Sequence, residues 1–162
     1  MNTPVPIDQL IDALEAQSDS HSSYLDRETG EVYAISEDAI SLSEGETDSV
    51  HLIAAWQEDE VELARRIQSS DRCLALPDQW EVNEWDIMAD LSTQIKRDDI
   101  RTGLLKAIHG SHAFRRFKDQ IVHFGVREDW FAFRRRAFEE ILRAWCEENG
   151  IEIKASQATI RR

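Results

Sequence analysis

Two clusters of cationic side chains are the residues best suited to binding chemistry. They are Arg115, Arg116 and Lys118, and then Arg134, Arg135 and Arg136. Guanidinium groups grip phosphates and carboxylates through paired hydrogen bonds, whereas an ammonium group acts as a point charge. The clusters therefore predict either a partner protein with acidic groups or a phosphate-bearing ligand such as a nucleotide or nucleic acid. The alternative is that they pair with acidic residues of the chain itself and hold its two halves together.

Two tryptophans offer a second candidate binding surface. Trp80 and Trp85 follow Pro77 and flank the start of a predicted helix. A tryptophan side chain is large enough to anchor a core, but it is also enriched at protein interfaces. If Trp80 and Trp85 are exposed together, they mark a surface for a partner or ligand.

Metal-binding and nucleophilic patterns are weak in this sequence. His109, His112 and His123 suggest a metal-dependent hydrolase, but a Gly-Ser pair interrupts the helix between the first two. Cys146 lies beside acidic Glu147 near the end of a predicted helix, where a thiolate is disfavoured. The sequence contains no His-Glu-x-x-His, paired Cys-x-x-Cys, phosphate-binding Gly-rich loop or G-x-S-x-G motif. We therefore expect no catalytic residue, no bound metal and no cofactor.

Charge is distributed unevenly along the chain. The 162 residues have a net charge of −13, of which residues 1–99 carry −18 and residues 100–162 carry +5. An acidic chain is repelled by nucleic acid and by anionic lipid, so nucleic acid is the less favoured partner and a membrane is not expected. The basic part either docks on another protein or is neutralised by the acidic part.

Length and composition favour one domain over residues 1–162. With 41% apolar and 31% charged residues, the composition is that of a globular protein. No apolar run approaches the ~20 residues of a membrane span, and the first residues lack the features of a secretory leader. The two cysteines, Cys73 and Cys146, are too few for a disulfide framework and fit a reducing cytoplasm.

The elements that position these residues begin with a short helix over 7–14. A hairpin is then predicted from 24–26 and 31–35, with Gly30 in its turn and Asp26 accepting hydrogen bonds from the turn amides. The acidic, serine-rich residues 36–50 are predicted to form a loop, with its centre at 41–50 and its tip at Gly45. Residues 56–67 are predicted to be helical. A short strand over 72–76 can add a third strand to the hairpin.

After Pro77 the pattern predicts only helices, followed by a flexible tail over 154–162. Their expected first or capping residues are Asn83, Asp98 or Asp99, Ser111, and Glu128 or Asp129. In the last two helices, the aromatic and aliphatic residues expected to face the protein core are Phe114, Phe117, Ile121, Phe124, Trp130, Phe133, Phe138, Leu142 and Trp145. The fold class is therefore α+β: a small antiparallel sheet of a hairpin and one short strand, covered by several helices, with an all-helical C-terminal part.

Three stretches of the sequence resemble a known family. They are residues 24–32, residues 71–77 and the run Ala-Phe-Arg-Arg-Phe-Lys-Asp at 113–119, followed by Trp130 and Trp145. Together they resemble the bacterial uncharacterised protein family 0158 over roughly residues 22–153. The resemblance implies a small bacterial cytoplasmic domain and supplies no catalytic residue, cofactor or partner. The function that we expect is a non-enzymatic cytoplasmic protein-interaction or regulatory module that docks through charged surfaces. The alternative is phosphate, nucleotide or nucleic-acid binding through the two cationic clusters.

Overall fold

The sequence predicts both strands and helices before Pro77 and only helices after it. Residues 3–18, 20–44 and 55–154 are described by this computed structural model, without the side chains of residues 44, 55–57, 79 and 80. In chain order the elements are β1 (Val5–Pro6), α1 (Ile7–Ala16), β2 (His21–Asp26), β3 (Val32–Ser36), α2 (Glu37–Glu44), α3 (Ala55–Gln68), β4 (Cys73–Ala75), α4 (Gln79–Val82), α5 (Glu84–Gln94), α6 (Asp98–Ala107), α7 (Ala113–His123), α8 (Arg127–Glu148) and β5 (Ile153–Lys154). The predicted α+β class is confirmed.

The chain divides into two compact units. The first comprises Met1–Asp78 and Leu142–Arg162, and the second comprises Gln79–Ile141. The first unit carries 8 Lys and Arg against 21 Asp and Glu, whereas the second carries 11 of each. The net charge of −13 therefore belongs entirely to the first unit. The expectation of one domain over the whole chain stays a prediction.

The first unit contains the predicted three-stranded sheet. Its strand order is β3-β2-β4 and both pairings are antiparallel, with Tyr24 opposite Tyr33 on one side and Ala75 on the other. Gly30 has a φ of +78°, which a residue without Cβ adopts at little cost in the hairpin turn. The hairpin, its turn glycine and the third strand are confirmed.

A second, parallel pair of strands in the same unit has no counterpart in the sequence predictions. Strand β1 pairs with β5, and the N–H of Val5 donates to the carbonyl of Glu152 at 2.9 Å. Lys154, which we expected to begin a flexible tail, therefore belongs to β5. The rest of that tail, residues 155–162, lies outside the described residues.

The helices of the first unit include one that the sequence predictions missed. Helix α1 confirms the predicted stripe, since Ile7, Leu10, Ile11 and Leu14 are all buried. Residues 37–44 form helix α2 where a loop was predicted, and the predicted loop tip at Gly45 lies outside the described residues. The Ser36 hydroxyl accepts a hydrogen bond from the N–H of Ala39 at 3.1 Å, and Ala39 is buried with residues of β3 and α3. Capping and one buried face thus stabilise a helix in an acidic, serine-rich segment.

In the second unit the predicted run of helices is confirmed, with differences at the caps. Asn83 caps α5 by accepting from the N–H of Asp86 at 3.4 Å, as predicted. Helix α6 starts at Asp98 itself after Arg97. His112, in the left-handed region with a φ of +62°, precedes α7 in place of the predicted cap Ser111. Helix α8 starts at Arg127, because the N–H of Trp130 already donates to the carbonyl of Val126.

Most residues predicted to face the core do so in this unit. Phe117, Ile121, Trp130 and Phe138 are buried, and Phe117 and Trp130 meet edge to face with ring centroids 4.8 Å apart. Phe124 and Phe133 are half-buried. Phe114 was predicted to face inward and is instead 44% exposed. It begins the stripe on α7, where it lines the groove described next.

Candidate docking groove

A groove with a volume of about 410 Å³ lies within the second unit, between helices α5, α7 and α8. We call it the docking groove. Its lining residues are Glu84, Met88, Phe114, Phe117, Lys118, Ile121, Val122, Arg127, Trp130, Phe131 and Arg134. Its volume falls within the usual range of about 300–1,000 Å³ for ligand-binding clefts.

Helical periodicity explains why these residues share one surface. The α7 residues are spaced i, i+3, i+4, i+7 and i+8, and the α8 residues are spaced i, i+3, i+4 and i+7. Side chains at these spacings lie on one face of an α-helix. Each helix therefore contributes one continuous stripe to the groove.

The walls of the docking groove expose large apolar side chains. Phe114 is 44% exposed, Val122 63% and Phe131 49%. Among the described residues the only other large hydrophobic side chain with comparable exposure is that of Trp85. The floor is formed by buried residues, including Phe117 and Ile121. An exposed apolar surface next to a well-packed floor is typical of a binding site.

The charged rim of the docking groove has an excess of cations. Arg134 donates to the Glu84 carboxylate, and its guanidinium lies 4.5 Å from the ring centroid of Phe138. The Arg127 guanidinium lies 5.3 Å from the ring centroid of Phe131. Lys118 is exposed and has no ion pair or hydrogen bond with any described residue. Because Arg134 neutralises Glu84, Lys118 and Arg127 leave the rim positive.

The cations predicted to bind a ligand are therefore divided by the structure. Arg134 and Lys118 line the docking groove, and Arg134 pairs internally with Glu84, as one of the sequence interpretations held. Arg115 and Arg136 are exposed, and Arg135 is half-buried and has a partner in the structure. None of these three is among the groove-lining residues. Adjacent residues on a helix are about 100° apart. The side chain of Arg115 therefore points away from that of Arg116, and those of Arg135 and Arg136 point away from that of Arg134.

Arg116 has a structural position instead. Its Nε donates to the Ala107 carbonyl at 3.0 Å, and its two terminal nitrogens donate to the carbonyls of His109 and Ser111. These carbonyls lie at and beyond the C-terminal end of α6, where backbone oxygens have no helical partner and cations are favoured. The Arg116 guanidinium is thus occupied by backbone oxygens. It pairs with no carboxylate among the described residues.

The predicted tryptophan surface is described only in part. Trp85 is 39% exposed, and its indole N–H donates to the carbonyl of Ile108 at 2.9 Å. Trp85 therefore helps Arg116 to satisfy the end of α6, and it is not among the groove-lining residues. Trp80 lies in α4, and its side chain is outside the described part of the structure.

None of the residues considered for catalysis is among the lining residues of the docking groove. His109, His112 and His123 are exposed. Within residues 3–18, 20–44 and 55–154, no three His, Cys, Asp or Glu side chains are grouped as metal ligands would be. Burial raises the pKa of the Cys146 thiol to about 11, consistent with its predicted poor nucleophilicity. Burial and the nearby Asp26 carboxylate also raise the pKa of Cys73.

The first unit contains a second concentration of charge, at the head of the hairpin. The Asp26 carboxylate is buried and accepts from the N–H groups of Glu28 at 2.9 Å and Thr29 at 3.4 Å, as predicted. Arg72 donates to the same carboxylate from Nε at 3.0 Å and from Nη2 at 2.6 Å. Burial acts to raise the pKa of Asp26, but the hydrogen bonds from Arg72 and from the two amides outweigh it and leave the pKa below its usual value. These bonds fix the turn and hold Arg72 against Asp26.

Sequence reasoning missed Phe131, Val122 and Arg127 as site residues. A signal was present, because Trp130, Phe131 and Phe133 are too closely spaced for one helix face to bury them all. An aromatic residue left over in this way indicates a second apolar surface. The spacing of Val122 from Phe114 and Lys118 gives the same indication on α7.

Comparison with known proteins supports the family resemblance. No curated protein matches the chain, and no solved structure matches it either. In the described part of the chain, no helix combines the length and the apolar character needed to cross a bilayer. The family model extends beyond the expected residues 22–153 on both sides and takes in α1. With residues 2–159 matched by that model, the chain belongs to the Uncharacterised protein family UPF0158.

Proposed function

We propose that this protein is a non-enzymatic interaction module that holds a partner protein in the docking groove. One observation carries the proposal: Phe114, Val122 and Phe131, three of the four large exposed hydrophobic side chains in the described residues, converge on one cleft. Monomeric proteins seldom cluster such residues without a binding role. The partner gains apolar burial, which is the main driving force of association.

The composition of the docking groove also favours a protein partner. Binding energy at interfaces is concentrated in aromatic residues and arginine, surrounded by a polar rim. Here Phe114 and Phe131 form the anchors and Arg127 lies against Phe131, with Lys118 at the rim. A groove whose floor is already packed needs little rearrangement before binding, which reduces the cost of association.

Phosphate or nucleic-acid binding remains the alternative, and the geometry supports it less. Arg116 is held by three carbonyls and Arg134 by Glu84, so neither guanidinium is available to a phosphate without losing those bonds. Of the other predicted cations, Arg115, Arg135 and Arg136 are not among the groove-lining residues. An apolar groove also adds nothing to the recognition of a phosphate backbone, which depends on charge.

The setting that we propose is the bacterial cytoplasm. The bacterial part rests on the family resemblance. The cytoplasmic part is supported by the two free cysteines, of which Cys146 is buried and Cys73 is half-buried. Unpaired thiols are the usual state in a reducing compartment.

Site-specific photocrosslinking in living bacteria tests the proposal. A photoreactive phenylalanine is placed at Val122, inside the docking groove, and in a matched strain at Thr102, which is exposed on α6 outside it. We expect a discrete adduct with another protein from position 122 only. Adding Phe131→Ser to the Val122 strain should abolish it, because the substitution removes an apolar wall.

Two results would contradict the proposal. One is the absence of any protein adduct from position 122 under conditions that label a known interface. The other is an adduct that forms equally from Thr102 or persists unchanged with Phe131→Ser. Either outcome would mean that the docking groove is not where a partner binds.

A further inference from the structure

We infer that the occupant of the docking groove is an acidic amphipathic α-helix of two to three turns, supplied by a different protein. The inference rests on the proposed function and goes further, because it names the secondary structure, the charge and the length of the segment that binds. Shape, backbone chemistry and charge each point to the same occupant.

The shape of the docking groove matches a short helix. Its α7 stripe runs from Phe114 to Val122, eight residues apart, which corresponds to about 12 Å along the helix axis. A partner helix with anchors at i, i+3 or i+4, and i+7 spans about 10.5 Å by the same rise. Rows of side chains on α7 and α8 can receive such anchors as ridges fit between grooves in helix packing. Two turns of a partner therefore fill the available length.

Backbone chemistry disfavours a β-strand as the occupant. The walls of the docking groove belong to α5, α7 and α8, whose interior N–H and C=O groups are bonded within each helix. An extended peptide that binds through its backbone adds a strand to a sheet edge, and these walls offer no such edge. Its own backbone groups would be buried without partners, which is unfavourable. A helix satisfies its backbone internally and presents only side chains.

The charge of the rim selects an acidic helix. Lys118 has no carboxylate partner among the described residues, and Arg127 contacts only the ring of Phe131 there. The groove-lining carboxylate, Glu84, is already bonded to Arg134. Glu or Asp residues flanking the anchors would therefore find two uncompensated cations, whereas a basic helix would be repelled.

A second copy of this chain is not the expected source of that helix. The matching chemistry occurs in α1, where three carboxylates lie along one flank of an apolar stripe. The carboxylates are those of Asp8, Asp12 and Glu15. The stripe is nevertheless buried in the first unit of its own chain, from Ile7 to Leu14. Helix α1 thus shows the pattern that we expect in the partner without being free to supply it.

Designed peptides test this inference on the full chain. The probe is a stapled three-turn helix with leucines at i, i+3 and i+7 and glutamates on its flanks, labelled for fluorescence anisotropy. Two matched peptides replace the glutamates by lysines or the leucines by alanines. We expect binding of the acidic leucine peptide only, and weaker binding at higher salt.

Variants of the protein place that binding in the docking groove. Phe131→Ser should weaken the acidic peptide about tenfold or more, as expected for an interface anchor. Lys118→Glu should weaken it about fivefold or more. The matched charge reversal Lys106→Glu, on the exposed side of α6 outside the groove, should leave it within about twofold.

Several outcomes would overturn the inference. Equal binding of the lysine peptide would contradict the acidic charge inferred for the partner. Binding of the acidic peptide that is unchanged by Phe131→Ser would contradict the docking groove as its site. Binding to phosphatidylglycerol vesicles that is lost with Phe131→Ser would identify a lipid surface as the occupant, and a dimer lost with that variant would identify a second copy. If no peptide binds but the protein adduct from Val122 persists, the proposed function stands and the helical partner is wrong. If both fail, both are wrong.

Discussion

The hairpin head of the first unit and the docking groove of the second both place charges beside buried residues, but they differ in whether those charges have partners. At the hairpin head, buried Asp26 receives bonds from two backbone amides and from Arg72. At the docking groove, Lys118 and Arg127 have no carboxylate partner in the described structure. A completed cluster stabilises the fold, whereas an incomplete one beside exposed apolar groups is suited to a partner.

The difference arises from where the charges lie on the chain. Asp26 and Arg72 are held by adjacent strands, since the N–H of Arg27 donates to the carbonyl of Arg72 at 2.8 Å. Backbone pairing thus brings the two charges together. Lys118 and Arg127 of the docking groove stand on helices, and both are exposed. Substitutions at each region should separate stability from binding.

The largest effect is expected at the floor of the docking groove. Phe117→Ala should lower the free energy of unfolding by ~3–5 kcal/mol, because Phe117 is 1% exposed and packs against Trp130. Phe131→Ala, on the half-exposed wall, should cost about 1 kcal/mol or less. Urea unfolding of both variants measures the difference. Similar losses would show that the wall is as structural as the floor, and the docking groove would then not be an open site.

A smaller loss is expected at the hairpin head. Asp26→Ala should lower the free energy of unfolding by about 2–3 kcal/mol at pH 7, since it leaves two turn amides without their acceptor. The matched control is Glu28→Ala, which removes the exposed carboxylate of the same cluster and should cost about 0.5 kcal/mol or less.

The same carboxylate gives the expected pH dependence. The pKa of Asp26 is lower in the folded protein than in the unfolded chain, so its contribution is complete above the unfolded value of about 3.9 and is lost as the pH falls through the folded value. The stability difference between wild type and Asp26→Ala should therefore shrink below about pH 4. A difference that stays constant down to pH 2 would mean that the charge of Asp26 does not stabilise the turn.

Arg116 tests the division within the cationic run of α7. Arg116→Ala should lower the free energy of unfolding by about 1–2 kcal/mol, because carbonyls at the end of α6 lose a charged donor. Its neighbour Arg115, which is exposed and without a described partner, should tolerate the same change within about 0.5 kcal/mol. Equal losses in chemical denaturation would remove the structural role that we assign to Arg116.

Much of the fold could be predicted because its signals are local. The stripe of α1, the turn at Gly30 and the cap Asn83 each depend on residues a few positions apart. Helix α2 was missed because its acidic and serine-rich composition was given more weight than the capping residue Ser36. That signal is local too, since Ser36 lies three residues before Ala39, whose N–H donates to it. The pairing of β1 with β5 joins residues about 150 positions apart, and no local pattern indicates it.

The candidate site was less predictable, because a cation's role depends on what the fold brings to it. Arg116 and Lys118 occur in one short run and have the same charge. Only the position of the α6 carbonyls distinguishes them, and that position follows from the turn between α6 and α7. The exposed face of Phe114 was likewise decided by packing between helices, since its spacing is equally compatible with a core position.

The smallest effect on stability is expected at Lys118, and it is the most informative about the docking groove. Lys118→Gln removes the charge and keeps a polar, unbranched side chain on an exposed site, so the free energy of unfolding should change by no more than about 0.5 kcal/mol. In the same variant the photocrosslinked adduct at Val122 should weaken, because one of the two uncompensated rim cations is gone. A stability loss of 1 kcal/mol or more would reveal an intramolecular role for Lys118. The rim would then be as complete as the hairpin head, and a partner would have to bind by apolar contact alone.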